Sequence, residues 1–185
     1  MKNEKKIAFL DRDGVINMDF GYVHKLDDLV FLAGLEYGLK KLSSDGFKLF
    51  IVTNQSGIAR GYYTETHFHE FMKVMLEKLK MKGIEISGYE YCPHHRDGAV
   101  PKYTKICGCR KPKPGMLERI LLREGVEAKD CIIIGDNITD IIAGKSAGIK
   151  NRILINKEKK ESDDKLCYHV ENWNKLYTYL ETLEL

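Results

Sequence analysis

The chain has 185 residues, 43% of them hydrophobic and 31% charged, a length and mixture that fit one globular domain and exclude disorder, a collagen-like repeat and a disulfide-built miniprotein. With 30 lysines and arginines against 27 aspartates and glutamates the formal net charge is only +3, so no whole-surface attraction to nucleic acid or membrane is expected and any electrostatic function must be local. Five cysteines are an odd number and too sparse for a disulfide framework. No apolar run approaches the ~20 residues of a membrane span, and Met1 to Lys6 leads into a strand without a signal-peptide core. The expectation is a cytoplasmic, monomeric protein that binds neither membrane nor nucleic acid.

Strands and helices alternate along the chain. Ile7 to Leu10 is a short apolar run that stops at Asp11-Arg12-Asp13-Gly14, and Phe47 to Val52 is a second that stops at Thr53-Asn54-Gln55-Ser56-Gly57. Both fit buried parallel strands. Between them Leu35, Leu39 and Leu42 recur at helical spacing with Gly46 placed to end the helix, and Phe68, Phe71, Met72, Met75, Leu76 and Leu79 form a similar stripe closed by Gly83. A third strand, Ile86 to Tyr91, is interrupted by Gly88. Pro114-Gly115 opens a helix through Glu124, and Cys131 to Ile134 is a fourth strand running into Gly135-Asp136-Asn137 ahead of a helix that ends near Gly148. Arg152 to Ile155 reads as a fifth strand, the charged run Lys157 to Lys165 as a mobile loop, and Asn172 to Leu183 as a final helix packing Trp173, Leu176 and Leu180. The pattern predicts a three-layer, Rossmann-like α/β sandwich with a central parallel sheet over residues 1–185, its ligands at the carboxyl ends of the strands. Asp11, Thr53, Cys92 and Asp136 each sit just past such an end.

The chemistry on that rim is unusual. Asp11 and Asp13 are two carboxylates around a turn at Gly14, and a divalent cation with hard oxygen ligands is the natural remedy for their repulsion; Asp136 can add a further oxygen. Few protein ligands and an oxygen-rich site suit Mg²⁺. Thr53 to Gly57 offers a hydroxyl, amides and backbone N–H groups for a phosphate. Arg110-Lys111-Pro112-Lys113-Pro114 holds cations beside prolines, and from Arg96 to Lys113 six basic residues stand against the single acid Asp97, so the expected ligand is an anion. A basic loop tracking a nucleic-acid backbone is the alternative, with little aromatic interleaving to support it. Cys92-Pro93-His94-His95 and Cys107-Gly108-Cys109 form a second constellation. Three thiolates and one imidazole complete a tetrahedral Zn²⁺ and leave no open position, so the site would be structural, over a loop spanning residues 92–109; Cys92, His94, Cys107 and Cys109 are the candidate ligands, with His95 competing for the place of His94. Cys131 and Cys167 have no such role.

Asp11-Arg12-Asp13-Gly14-Val15-Ile16-Asn17, Thr53-Asn54, Lys111 and Gly135-Asp136-x-x-x-Asp140 together resemble the four motifs of the haloacid dehalogenase superfamily of phosphohydrolases. More narrowly, Gly21-Tyr22-Val23-His24, Thr53 to Gly61, Cys92 to His95 and Cys109 to Leu117 resemble the heptose 1,7-bisphosphate 7-phosphatases. The resemblance covers Ile7 to Ile155 and implies a capless fold, Mg²⁺ dependence, a zinc-bound loop and a part in making nucleotide-activated heptose for lipopolysaccharide and other surface glycans. It implies Asp11 as nucleophile, Asp13 as acid and base, Thr53 and Lys111 on the phosphoryl oxygens, and Mg²⁺ on Asp11, the Asp13 carbonyl and Asp136. The phosphorylated sugar would be bound by Asp19, Phe20, Gly21, Tyr22, Asn54, Gln55, Ser56, Arg60 and Arg110. Asp140 is expected to orient a cation such as Lys111, and the residue after Asp136, often Lys in these phosphatases, is Asn137 here. Histidinol-phosphate phosphatases share the aspartates and the zinc loop and are the enzymatic alternative; a non-catalytic, zinc-stabilised anion- or nucleic-acid-binding domain is the alternative from another class.

Overall fold

A computed structural model describes residues 6–156 and 167–182. Six strands, β1 (Lys6–Leu10), β2 (Phe47–Asn54), β3 (Ile86–Cys92), β4 (Cys131–Gly135), β5 (Asn151–Ile155) and β6 (Tyr168–Val170), form one sheet in the order β3-β2-β1-β4-β5-β6. Every neighbouring pair is parallel. The chain winds outward from β1 to β3, returns to lay β4 on the free side of β1, and winds outward again, so β1 and β4 meet at the point where strand order reverses. Crevices for ligands open at that point, outside the carboxyl ends. The predicted sandwich is observed, and no separate cap interrupts it among the described residues.

Side-chain alternation builds the layers. Ala8 and Leu10 of β1 face one way with Leu49, Ile51, Ile132 and Ile134, under α1 (Leu35–Ser44), α3 (Glu65–Met81) and α6 (Trp173–Thr182). Ile7 and Phe9 face the other way with Phe50, Val52, Cys131 and Ile133, under α4 (Gly115–Glu124) and α5 (Ile138–Ser146). The leucine stripe of α1 and the Phe and Met stripe of α3 are buried in the first of these cores, as their spacing predicts. Gly38 is the place where α1 and α6 come close: a Cβ there would lie 2.3 Å from the Trp173 ring, whose indole Nε1 donates to the Val15 carbonyl at 2.7 Å.

Neither α2 (Ser56–Ala59), a single turn after β2, nor β6, whose three residues are too few to show a period, was predicted. β2 also runs two residues past Val52, so Thr53 and Asn54 lie on the strand rather than in the loop after it. The run Lys157 to Lys165 lies outside the described residues, as does Leu183 at the end of the last predicted helix.

Candidate active site

β1 and β4 deliver Asp11 and Asp136 side by side. The Asp11 N–H donates to the Ile134 carbonyl at 3.0 Å, which closes the β1 end onto β4. The chain then turns at Gly14, where φ is +77° and a Cβ would lie 2.1 Å from Asp136 Oδ2. Only glycine allows both that left-handed backbone and the close approach of the Asp136 carboxylate. Asp11, Asp136 and Asp140 each place a carboxylate oxygen within 4.8 Å of the others.

Lys111 enters this acidic corner from the loop before α4. Its Nζ donates to the Val52 carbonyl at 2.7 Å and lies 2.9 Å from Asp11 Oδ1 and 2.6 Å from Asp140 Oδ1, with 1% of the side chain exposed. Burial pulls the Lys111 pKa down, but Asp11 and Asp140 outweigh it and hold the ammonium above its ordinary value. Asp140 also caps a helix. Its Oδ2 accepts from the Asn137 N–H at 3.1 Å, half of a capping box at the start of α5. The other half uses Asn137 Oδ1, which accepts from the Thr139 N–H at 3.1 Å. The Asn that replaces the usual Lys is therefore a helix cap.

Asn54 locks Lys111 in place. Its amide nitrogen donates to the Lys111 carbonyl and its Oδ1 accepts from the Lys111 N–H, both at 3.1 Å. Both amide atoms of Asn54 thus hold backbone while the residue also lines the cavity of the site. In the segment after β2 the Gln55 N–H donates to the Cys92 carbonyl at 2.8 Å.

Asp13 does not join the acidic cluster with its side chain. Arg12, fully buried, places Nη2 2.8 Å from both Asp13 oxygens and Nε at 3.2 and 3.1 Å. Asn17 donates to Oδ1 at 3.0 Å and Gln55 Nε2 to Oδ2 at 3.1 Å. The side chains gathered for a cation are thus Asp11, Asp136 and Asp140, whereas the predicted set was Asp11, Asp13 and Asp136, with Asp13 contributing its carbonyl.

These groups line a cavity of about 390 Å³ together with Asp19, Gly21, Tyr22, Thr53, Asn54, Gln55, Ser56, Tyr63, Arg110, Asn137 and Thr139. Asp19 Oδ1 accepts from the Gly21 N–H at 2.8 Å, shaping the turn that carries Tyr22, itself in the left-handed region at φ +53°. Phe20 and Arg60 are not on the cavity wall. Phe20 is 58% exposed, and Arg60 turns away, its Nη2 3.3 Å from His95 Nε2. Tyr63 and Thr139 are cavity residues that the sequence pattern did not single out, and Asn137, noted there only as a departure from the family pattern, is on the wall as well. Arg110 also lines a second, basic cavity with His95, Arg96, Lys105 and Lys113.

The thiol cluster closes beside this wall. Cys92 Sγ lies 3.5 Å from Cys107 Sγ, Cys109 Sγ lies 3.3 Å from each of them, and His94 Nδ1 is 3.7 Å from Cys92 Sγ and 3.4 Å from Cys109 Sγ. These gaps are too long for disulfides, whose sulfurs bond at about 2.05 Å, so the three cysteines of the cluster remain thiols. They are near the edges of a tetrahedron with ~2.3 Å metal–sulfur bonds. His94, not His95, faces the cluster. Burial pushes the Cys92 thiol up and holds His94 below its ordinary pKa, so the imidazole is neutral, as a ligand requires.

The oxygen corner is equally suited to a hard divalent cation. Burial, then the neighbouring carboxylates, raise Asp11 well above the usual range, and burial with Asp140 pushes Asp136 up to about 7. Acids crowded in this way relieve their repulsion by binding protons or a cation.

Comparison with known proteins agrees with this geometry. The profile of the HAD-hydrolase-like family matches residues 108–172. The D-glycero-alpha-D-manno-heptose-1,7-bisphosphate 7-phosphatase of Photorhabdus laumondii is 44% identical over 153 residues, 83% of this chain and 84% of the relative. The D-glycero-beta-D-manno-heptose-1,7-bisphosphate 7-phosphatase of Pasteurella multocida is 42% identical over 160 residues, 86% of each. The crystal structure of the D,D-heptose 1,7-bisphosphate phosphatase from B. bronchiseptica, complexed with magnesium and phosphate, superposes with a TM-score of 0.80 at 27% identity, covering 96% of this chain and 98% of that one. A parallel sheet with two aspartates at its reversal point, a lysine buried between Asp11 and Asp140 and relatives this similar over most of the chain establish that it belongs to the haloacid dehalogenase-like hydrolases and, within them, to the heptose-1,7-bisphosphate 7-phosphatase family.

Proposed function

We propose that the chain, acting as one monomeric domain of residues 1–185 in the cytoplasm, hydrolyses the 7-phosphate of D-glycero-D-manno-heptose 1,7-bisphosphate on the way to nucleotide-activated heptose. The observation that carries the reading is the Asp11–Lys111–Asp140 chain of contacts at the β1 end, with Asp136 and Asp13 on the same cavity. Asp11 Oδ1 is held by Lys111 and by the Arg12 N–H at 2.7 Å, so Oδ2 is the nucleophile. It attacks phosphorus, the bond from phosphorus to the C7 oxygen breaks, and Asp13 gives that oxygen its proton. A water then attacks the aspartyl-phosphate, Asp13 takes the proton of the water, and inorganic phosphate leaves with Asp11 restored. Lys111 and the Thr53 hydroxyl, on the cavity wall, would meet the phosphoryl oxygens, and Arg110 on the same wall would meet the second phosphate of the substrate.

Asp11, the Asp13 carbonyl and Asp136 would hold Mg²⁺, which when bound neutralises the phosphoryl oxygens. Cys92, His94, Cys107 and Cys109 would hold Zn²⁺, which fixes the loop carrying Arg110 to the rim. The unbridged thiols of Cys92, Cys107, Cys109 and Cys131 suit a reducing cytoplasm. The test is phosphate release with Mg²⁺ from the heptose bisphosphate and, in parallel, from histidinol phosphate. The bisphosphate is expected to turn over much faster, and the reverse preference would refute the assignment.

A further inference from the structure

The network around Asp13 contains a buried tyrosine that the mechanism does not use. We infer that Tyr63 is a positioning residue for Asp13, acting through the amide of Gln55. The inference rests on the reading of Asp13 as the acid that protonates the leaving oxygen, and goes beyond it by naming what aims that acid.

Arg12 supplies charge without direction. Both of its contacting nitrogens lie within 3.2 Å of both Asp13 oxygens, so the guanidinium does not distinguish one oxygen from the other. Asn17 and Gln55 do, since each bonds one oxygen only, Oδ1 and Oδ2 respectively. The orientation of an amide, however, is free by half a turn unless its own oxygen is committed. Tyr63 and Asp13 commit it together: the phenol donates to Gln55 Oε1 at 2.5 Å, and the carboxylate, which only accepts, takes Nε2, which also donates to Thr53 Oγ1 at 2.8 Å. A flipped amide would set its oxygen against the Asp13 carboxylate.

The ring of Tyr63 is itself fixed from two sides. A Cβ on Gly57 would lie 2.2 Å from it, so only glycine admits the ring there, and His24 stacks on it with centroids 4.6 Å apart. Tyr63 and Gln55 are 5% and 2% exposed, which leaves water little access to replace the hydroxyl. Gly57 and His24, both in segments that resemble the family, thus have a physical role in holding one phenol.

The experiment compares two leaving groups. An alkoxide leaves only with a proton, whereas p-nitrophenolate leaves without one, so loss of an aimed acid harms the first reaction selectively. Tyr63→Phe in the Mg²⁺-loaded enzyme is expected to lower kcat on the heptose bisphosphate about tenfold, a fraction of the ~10²–10⁴ an acid contributes. KM and the kcat for p-nitrophenyl phosphate should stay nearly unchanged. Gly57→Ala, whose methyl would meet the Tyr63 ring at 2.2 Å and displace the phenol, should show the same selectivity if Tyr63→Phe folds poorly. Asp13→Asn measured alongside separates the two ideas. Selective loss in Asp13→Asn with equal losses on both substrates, or none, in the Tyr63 and Gly57 variants would overturn the inference alone. Unselective loss in Asp13→Asn would overturn the acid assignment and the inference with it.

Discussion

Replacing Lys111 by Met removes the only ammonium among the described residues that bridges two carboxylates of the acidic corner. Unit charges 2.6 and 2.9 Å apart attract by about 6 kcal/mol each at an effective dielectric of ~20, and the buried lysine gives back several kcal/mol of lost hydration. The net cost of removing one member of a buried pair is about 3–5 kcal/mol, a large part of the ~5–15 kcal/mol that holds a domain together. Methionine fills a similar volume, so the loss is electrostatic. The assay is urea unfolding of metal-free protein at pH 8 and pH 6. Without Lys111, Asp11 rises further above the unfolded carboxylate value, so the folded state binds more protons than the unfolded one, and the stability of the variant must increase as pH falls. Lys111→Met with Asp140→Asn should be more stable than Lys111→Met alone, because one of the stranded charges is gone. A Lys111→Met protein within about 1 kcal/mol of the parent at pH 8, with the same pH dependence, would refute the reasoning and show that the corner is solvated or protonated enough not to need its lysine.

Asp11→Asn should abolish turnover while its thermal melt stays close to that of the parent, and residual activity in single-turnover assays would exclude the covalent route. Gly14→Ala places a methyl 2.1 Å from Asp136 Oδ2 at φ +77°; Mg²⁺-dependent activity should fall by orders of magnitude with a stability loss of about 1–2 kcal/mol or more, read by saturating Mg²⁺ titration and melting. Cys107→Ser should lower zinc content by elemental analysis and lower the melting temperature, and a zinc-free parent with full activity would remove the structural metal. With Asp136 at about 7 in the metal-free protein, cation and proton compete, so the half-saturating Mg²⁺ concentration should fall from pH 6 to pH 8 and calorimetry should detect proton release on binding near pH 6.

Much of the fold was legible because it depends on pattern. The apolar runs ending in Asp11, Thr53 and Asp136 became β1, β2 and β4 with those residues at their carboxyl ends, and α1, α3, α4 and α5 fell where periodicity and glycines placed them. β6 escaped because three residues, one exposed, one half-buried and one buried, show no period. At the site, residue chemistry was legible and direction was not. Asn54 is a polar group on the rim, but its partner is the Lys111 backbone, 57 residues away, and no local pattern encodes that pairing. Arg12 reads as a spacer between two acids, yet it is buried with its guanidinium 4.9 Å from the Phe71 ring and bonded to the Val23 carbonyl at 2.6 Å. The three thiols of the cluster were readable because metal-ligand chemistry restricts which side chains sit at such spacing, whereas His94 over His95 is the choice that only the loop geometry makes.

The near-neutral composition conceals a division of charge that bears on the mechanism. Asp11, Asp136 and Asp140 bring three negative charges to one corner and Lys111 returns one, so two remain, the amount a single divalent cation cancels. Asp13 stays outside this balance because Arg12 pairs with it in the interior, beside the corner rather than in it. Proton transfer at Asp13 can then proceed without altering the charge that holds the cation, and loss of the cation leaves Asp13 in place. Mg²⁺ and Lys111 would meet the transferred phosphoryl group, which leaves Arg110, on the wall of both cavities, for the second phosphate of the substrate. The loop that carries Arg110 has no strand or long helix to hold it, and the thiol cluster that ties Cys92 at the end of β3 to Cys107 and Cys109 is what fixes its path. A Zn²⁺ held by this cluster would therefore govern how tightly the second phosphate is held, and its removal should raise KM for the bisphosphate more than it lowers kcat on a substrate with a single phosphate.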